Sequence, residues 1–244
     1  VALFAVTPGG YQLSDAVAFG LQVADKTIGG SGPSPDWVLC EPSTNAANAS
    51  ATIGNSGSLV INEWMATATD GADWFELYNP QVLPVSLGGL LLSDRTNNPA
   101  LSPIRSLSFI AARGFRQFIA DEDPSQNARH VDFRLSGGGE TIFLSAADRS
   151  PINVITYNAQ TANVSEGRLP DGGATMERFP ESASPEAANF LAITNIRLNE
   201  LAPDIELANF GPAGIAIGGW WLSDDEAALQ KYQIPPDTTI SAGG

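Results

Sequence analysis

Residues 73–79 read DWFELYN, and this stretch decides the fold class. Trp74, Glu76 and Tyr78 lie on one side of an extended backbone, and the residues between them lie on the other. This period of two is typical of a β-strand with one apolar and one amphipathic face. The following Asn79-Pro80 is a turn signal, so the strand is short.

The same pattern recurs on both sides of this strand. Residues 142–144 suit a strand after the glycine turn at 137–139, and the β-branched and aromatic residues 154–157 suit another. Turn formers separate such segments at a spacing of about ten residues, which is typical of a β-sandwich. The sequence therefore predicts an all-β protein. Acidic residues after Ser223 indicate one helical turn at 224–229.

The chain also repeats itself. Residues 15–29 (DAVAFGLQVADKTIG) align without a gap with 153–167 (NVITYNAQTANVSEG), and Ala-Ala-Asn follows both, at 46–48 and 187–189. LVINE at 59–63 matches IRLNE at 196–200, WFELYN at 74–79 matches DIELANF at 204–210, and LGGLLLSD at 87–94 matches IGGWWLSD at 217–224. We therefore expect one complete unit at 58–190, the back part of a preceding unit at 1–49, and the front part of a following unit at 192–244. Such a tandem repeat is expected to be a fragment of a longer array.

Several blocks of the complete unit occur in the order found in a known family: Asn62-Glu63-Trp64, 73–79, 87–94, 135–140, 165–172 and 187–189. In this order the chain resembles the lamin-tail domain of bacterial secreted and surface proteins. The resemblance implies an immunoglobulin-like β-sandwich and a non-catalytic accessory module. Gly30 departs from the pattern, since the complete unit has Arg168 at that place.

Each partial unit should expose apolar faces and unpaired strand edges. We expect the two partial units to pack with each other, against 58–190, or between chains.

The net charge limits the classes of molecule that this chain is expected to bind. The 244 residues carry 27 acidic against 12 basic side chains, a net charge of −15. Such a surface repels phosphate backbones and anionic lipids, so nucleic acid is an unfavourable partner, and no stretch is apolar enough for a membrane span. Six arginines between residues 95 and 134 either pair with nearby carboxylates or form a cationic binding face: Arg95, Arg105, Arg113, Arg116, Arg129 and Arg134.

Residues for catalysis are few. His130 is the one histidine, and we expect it to be a surface residue rather than a general base. Cys40 is the one cysteine, and we expect it to be a small buried residue rather than a reactive thiol. Gly137-Gly138-Gly139 lacks the Lys-Ser/Thr of a phosphate-binding loop. We predict no catalytic residue, no cofactor-binding residue and no metal ligand, and therefore no enzyme.

Two sets of side chains remain as binding candidates. The carboxylates of Glu63, Asp70, Asp73 and Glu76 could gather around calcium, although their spacing is not that of an EF-hand loop. Alternatively, Glu63 and Glu76 accept backbone N–H groups or pair with an arginine such as Arg178. Aromatic side chains could stack on sugar rings or fill the core, and the adjacent Trp220 and Trp221 cannot both be core: Trp64, Trp74, Tyr78, Trp220 and Trp221.

These observations lead to an expected function. The chain is expected to be an extracellular or cell-surface bacterial module that acts without chemistry, in adhesion, as a spacer or in substrate targeting, with a protein or glycan ligand. The alternative is an accessory region of a secreted nuclease, phosphatase or other hydrolase whose catalytic domain lies elsewhere.

Overall fold

The computed structural model describes residues 1–31, 36–191, 195–201 and 203–244. Short strands and turns make up these ranges, which confirms the predicted all-β sandwich fold. Residues 1–191 form one compact unit, and residues 192–244 form a second. The start of the second unit, at 192–194, and residue 202 lie outside the described residues, and the three-part division made from the sequence stays a prediction.

The strands are numbered in chain order. The first fifty residues hold β1 (Ala2–Thr7), β2 (Gly10–Ala16), β3 (Thr27–Ser31), β4 (Asp36–Glu41) and β5 (Ala49–Ser50). After a 3₁₀ turn at Ser56–Ser58 come β6 (Val60–Met65), β7 (Asp73–Tyr78), β8 (Val85–Ser86), β9 (Leu91–Ser93), β10 (Ser102–Pro103), β11 (Phe109–Ile110), β12 (Phe115–Ala120), β13 (His130–Val131), β14 (Gly139–Ser145), β15 (Pro151–Asn158), β16 (Ser165–Arg168) and β17 (Met176–Phe179). The second unit holds β18 (Ile196–Glu200), β19 (Glu206–Asn209), β20 (Ile215–Ala216), β21 (Trp221–Leu222), β22 (Tyr232–Gln233) and β23 (Thr239–Ile240).

Residues 58–190 form a two-layer sandwich. One layer is the six-stranded sheet β13-β12-β7-β6-β16-β17, and the other contains the four-stranded sheet β10-β9-β14-β15 and the pair β11-β8. The core takes alternate residues from both layers, for example Phe75 and Phe118 from the first and Ile142 and Leu144 from the second. Phe75 stacks on Phe118 at a ring distance of 5.6 Å, so the alternation read at 73–79 directs Phe75 inward.

A bulge at Asn62 interrupts the alternation in β6. Ile61 pairs with Leu77 and Glu63 pairs with Glu76, so Asn62 is the extra residue. The bulge lets Ile61 and Trp64 both enter the core although they are three residues apart. The same irregularity recurs in the second unit at Asn199.

A short stretch from the first fifty residues adds to this sandwich. Leu21 is buried in the same core cluster. Its N–H donates to Ser108 Oγ at 3.0 Å, and its carbonyl accepts from Phe109 N–H at 2.8 Å. Gln22 Nε2 donates to the Leu107 carbonyl at 2.7 Å. The segment around Leu21 therefore docks along β11.

The sheets outside residues 58–190 are small. Among the first fifty residues, β1 pairs with β2, and β3, β4 and β5 form a three-stranded sheet. In the second unit, the pairs are β18-β19, β20-β23 and β21-β22. The helical turn expected at 224–229 is absent from the described residues: Ser223 Oγ instead accepts the Asp225 N–H and donates to the Ala228 carbonyl, which closes a loop.

Candidate functional site

Two glutamates lie opposite each other at the centre of the six-stranded sheet. Glu63 on β6 and Glu76 on β7 are register partners, and both are fully buried. They lie on the sheet face that points away from the core, where residues 181–190 cover them. A buried carboxylate is costly unless it is bonded, so its partners define its role.

Glu63 is held by two serines. Ser165 on β16 donates its hydroxyl to Glu63 Oε1 at 2.5 Å. Ser184 donates its N–H to both carboxylate oxygens at 3.2 Å and its hydroxyl to Oε2 at 3.3 Å. Burial raises the pKa of Glu63 above its ordinary value, and the bonds from Ser165 and Ser184 act against that shift.

Glu76 is less well satisfied. Its Oε2 accepts the Glu186 N–H, while its buried Oε1 has no hydrogen-bond partner. Burial raises the pKa of Glu76 to about 8, and the neighbouring carboxylate of Glu63 adds to the rise. Glu76 is therefore mostly protonated at neutral pH.

A second set of bonds ties the same segment to β6 and β16. Asp171 Oδ1 accepts from Asn62 Nδ2 at 2.9 Å and from the Asn189 N–H at 3.0 Å. Asn189 Nδ2 donates to the Arg168 carbonyl at 2.9 Å, and Arg168 Nε donates to the Ile61 carbonyl at 2.8 Å. The polar cluster therefore fastens residues 184–189 across the six-stranded sheet.

Two of the four acidic candidates, Glu63 and Glu76, are brought together, but Asp70 and Asp73 do not join them. Asp73 lies on the opposite face of β7 from Glu76, accepts the Ala68 N–H at 2.9 Å and has its pKa raised by burial, while Asp70 is exposed in the preceding turn. Arg178 pairs with Glu166 at 2.9 Å rather than with Glu63 or Glu76. Within the described ranges, no three histidine, cysteine or acidic side chains form a group that could hold a metal ion.

The arginines between 95 and 134 bind mostly within the protein. Arg116 and Arg129 contact Glu186 at 3.2 and 3.1 Å, and Arg134 contacts Glu122 at 3.1 Å. Arg95 contacts Asp94 at 3.5 Å, and Arg105 donates to the Pro124 carbonyl at 2.6 Å. These contacts favour the interpretation that the arginines pair with nearby groups, rather than the interpretation that they form a cationic binding face.

The remaining candidates fall into two groups. Cys40 is fully buried, and His130 is partly buried with Nδ1 2.8 Å from Asp121 Oδ2. Trp64, Trp74 and Tyr78 are buried, whereas Trp220 and Trp221 are 38% and 42% exposed. The sequence predicts that at most one of these two adjacent tryptophans is in the core, and in the structure both are partly exposed.

An open cavity of about 390 Å³ lies between residues 37–53 and 86–109. Leu39, Ile53, Leu107 and Phe109 are among its lining residues, and its described lining contains no ionisable side chain. The cavity therefore offers apolar contact without acid–base chemistry. Among the described residues there is also no helix of the length and hydropathy that a membrane span requires.

Comparison with known proteins gives one functional lead. FtsQ of Ketogulonicigenium vulgare (strain Y25), a cell division protein, is 30% identical to this chain over 199 residues. The aligned region covers 77% of this chain and 60% of the relative, so the chain spans less than two thirds of the relative's length. No family model matches the chain, and no solved structure matches it.

This similarity corrects the functional expectation. Similarity to a cell division protein contradicts the expected function as an extracellular adhesion, spacer or targeting module. It also contradicts the alternative, an accessory region of a secreted hydrolase. It likewise contradicts the extracellular or cell-surface location and the description as a secreted, cell-surface tandem-repeat binding module. The physical reason for the error is that acidity and few catalytic side chains occur in proteins of every compartment.

Proposed function

We propose that this chain takes part in bacterial cell division as a non-catalytic β-sandwich module that holds proteins together through its sheet edges. The observation that carries the proposal is the similarity to FtsQ over 77% of the chain. Because the relative is longer, only its matched part bears on this chain.

The contacts of Glu63 and Glu76 favour a structural role for this site rather than a catalytic one. Glu63 and Glu76 accept hydrogen bonds from serines and backbone amides, so their carboxylates fasten residues 181–190 to the sheet. Strands at the ends of the described sheets, for example β13 and β17, and exposed apolar side chains such as Leu198 and Ile205 supply surfaces for protein partners. The lamin-tail-like assignment of 58–190 belongs to the same proposal, supported by the ordered blocks.

Depletion in the bacterium that encodes the chain tests the division role. We expect depleted cells to elongate without dividing, and a fluorescent fusion to collect at the division site. Re-expression of the unchanged gene should restore division, and a Phe75→Asp gene, whose product cannot form the sandwich core, should not. Normal division after verified depletion, with an evenly distributed fusion, would contradict the proposal.

A further inference from the structure

We propose that residues 181–190 form a strap that stays closed while the facing pair Glu63 and Glu76 holds a proton, and that opens when both carboxylates are charged. Opening uncovers the outer face of β6, β7 and β16 while the sandwich beneath stays folded. The inference does not depend on the proposed role in cell division.

The two carboxyl groups are placed where their charges repel. Glu63 and Glu76 are register partners on antiparallel strands, and the Cβ atoms of such pairs are about 4.5–5.5 Å apart. Like charges directly opposite each other destabilise a sheet, and both side chains are fully buried, so little water screens the repulsion. The closed strap therefore favours a pair with at most one negative charge.

The hydrogen bonds show which glutamate holds the proton. Glu63 accepts from Ser165 and Ser184 through its two oxygens, and such bonds favour its charged form. Glu76 Oε2 accepts the Glu186 N–H, whereas its buried Oε1 has no hydrogen-bond partner among the described residues. A buried oxygen without a partner disfavours the charged form, so the proton is on Glu76.

The other groups that face the pair do not offset a charge on Glu76. Asp171, in the turn after β16, adds a further negative charge, and the register partner of Glu76 on β12 is the uncharged Gln117. The side chain that β16 presents to Glu63 is the uncharged Ser165. Burial, with the carboxylate of Glu63 as a smaller cause, raises the pKa of Glu76 to about 8. In an open strap, water surrounds this side chain and its pKa returns toward 4.5.

The backbone of the strap is strained where it meets Glu76. Glu186 has a φ of +64°, in the left-handed region that is costly for a residue with a side chain. The repeat places Asn45 at the matching position with a φ of +58°, and asparagine tolerates this region better. Glu186 is held there by its N–H bond to Glu76 and by ion pairs with Arg116 and Arg129 at 3.2 and 3.1 Å. Opening relieves the strain, which offsets part of the bonds that are lost.

The strap can leave the sheet as one loop. None of residues 181–190 belongs to a strand, so its release breaks no strand pairing. Ser182 donates its hydroxyl to the Phe190 carbonyl at 2.6 Å, which joins the two ends of the strap. Its bonds to the sheet run through Ser184, Glu186 and Asn189. These bonds are side-chain contacts of the kind that can open without global unfolding.

Hydrogen exchange of the 244-residue chain at pH 5 and pH 8 tests the strap, with each rate compared with that of an unstructured amide at the same pH. We expect the protection of the Ser184 and Glu186 amides to fall by about tenfold or more, because the closed strap binds a proton that the open strap releases. At pH 8 these amides should be less protected than the amides of β14, which exchange only when the sandwich opens. Unchanged protection of the strap at pH 8, or equal protection of the strap and β14, would overturn the inference.

Substitutions assign the effect to the glutamate pair. Glu76→Gln keeps the shape of the side chain without a charge, so the strap should retain most of its pH 5 protection at pH 8. The matched control Glu166→Gln removes a carboxylate that pairs with the exposed Arg178, and it should show the same fall as the unchanged chain. Glu63→Gln removes the facing charge and should reduce the fall, which provides a second check if Glu76→Gln does not fold. A fall of full size in either variant of the pair would count against the strap.

Discussion

Glu63 and Glu76 are direct register partners on β6 and β7, and both side chains are fully buried on the outer face of the sheet. Their partners differ: Glu63 binds two serines, while Glu76 binds one backbone amide and keeps one oxygen unpaired. The pair therefore combines a well-satisfied carboxylate with one that is easily protonated, and this difference makes stability depend on pH.

The stability of the sandwich should fall as pH rises from about 5 to about 8. The pKa of Glu76 is raised from 4.5 to about 8 in the folded chain, so the folded state binds more protons than the unfolded state between these values. The protonated side chain contributes fully below pH 4.5, and this contribution is lost as pH passes the folded pKa. We expect a decrease on the order of 3 kcal/mol in the free energy of unfolding. Urea titrations at several pH values measure it, and Glu76→Gln should flatten the dependence; an equal slope in both proteins would argue against it.

Replacing Glu63 should loosen the segment around Ser184 from the sheet. Glu63→Ala leaves the Ser165 hydroxyl and the Ser184 N–H without their acceptor, and should cost about 3 kcal/mol. Hydrogen exchange should show faster exchange of the Ser184 amide than in the unchanged chain. Glu166→Ala is the control, because that carboxylate pairs with the exposed Arg178 rather than with Ser184. Equal protection of the Ser184 amide in both variants would contradict this role of Glu63.

Phe75 should be far more sensitive than its repeat counterpart. Phe75 is fully buried and stacks on Phe118 and Phe133, so Phe75→Ala should cost about 3–5 kcal/mol. Ile205→Ala, at the matching place of the second unit, is 55% exposed and should cost less than about 1 kcal/mol in dilute protein. Chemical denaturation compares the two. Similar losses would mean that the two positions are equally buried.

Gly167 should tolerate no side chain. A Cβ atom there would lie 2.5 Å from the Asn62 carbonyl oxygen and 3.0 Å from Glu63 Cα. Gly167→Ala must therefore separate β16 from β6, with an expected loss of about 2–4 kcal/mol. Gly138→Ala places its Cβ at an ordinary 3.5 Å from Ser136 Oγ and serves as the control. Melting temperatures of the two variants should differ clearly, and equal values would refute the close approach.

The sequence predicted the fold better than the contacts. The alternation at 73–79 and the β-branched and aromatic residues at 154–157 are local properties, and both stretches lie in strands. No local sequence pattern predicts the bulge at Asn62. The Asn-Glu pair recurs at 199–200, however, and a bulge lies at Asn199 as well. Arg178 was an expected partner of Glu63, yet it pairs with Glu166, because β16 and β17 place those two residues directly opposite each other.

Long-range relationships lay beyond the sequence for the same reason. His130 meets Asp121 because β13 runs parallel to β12, which depends on how the loop between them returns. Glu186 receives two arginines only because residues 181–190 cross the sheet. Charge and composition contain no comparable information about location, so the extracellular assignment had no physical basis in the chain.

The docking of Leu21 along β11 determines where the chain can be cut to make a shorter fragment that still folds. The aligned repeat places the start of the complete unit near residue 58, but a chain cut there would lose the leucine that seals the core beside Ser108 and Phe109. Water would enter through that opening, and ligand measurements on the shortened piece would describe a damaged sandwich. A fragment for isolated study should therefore begin before residue 20.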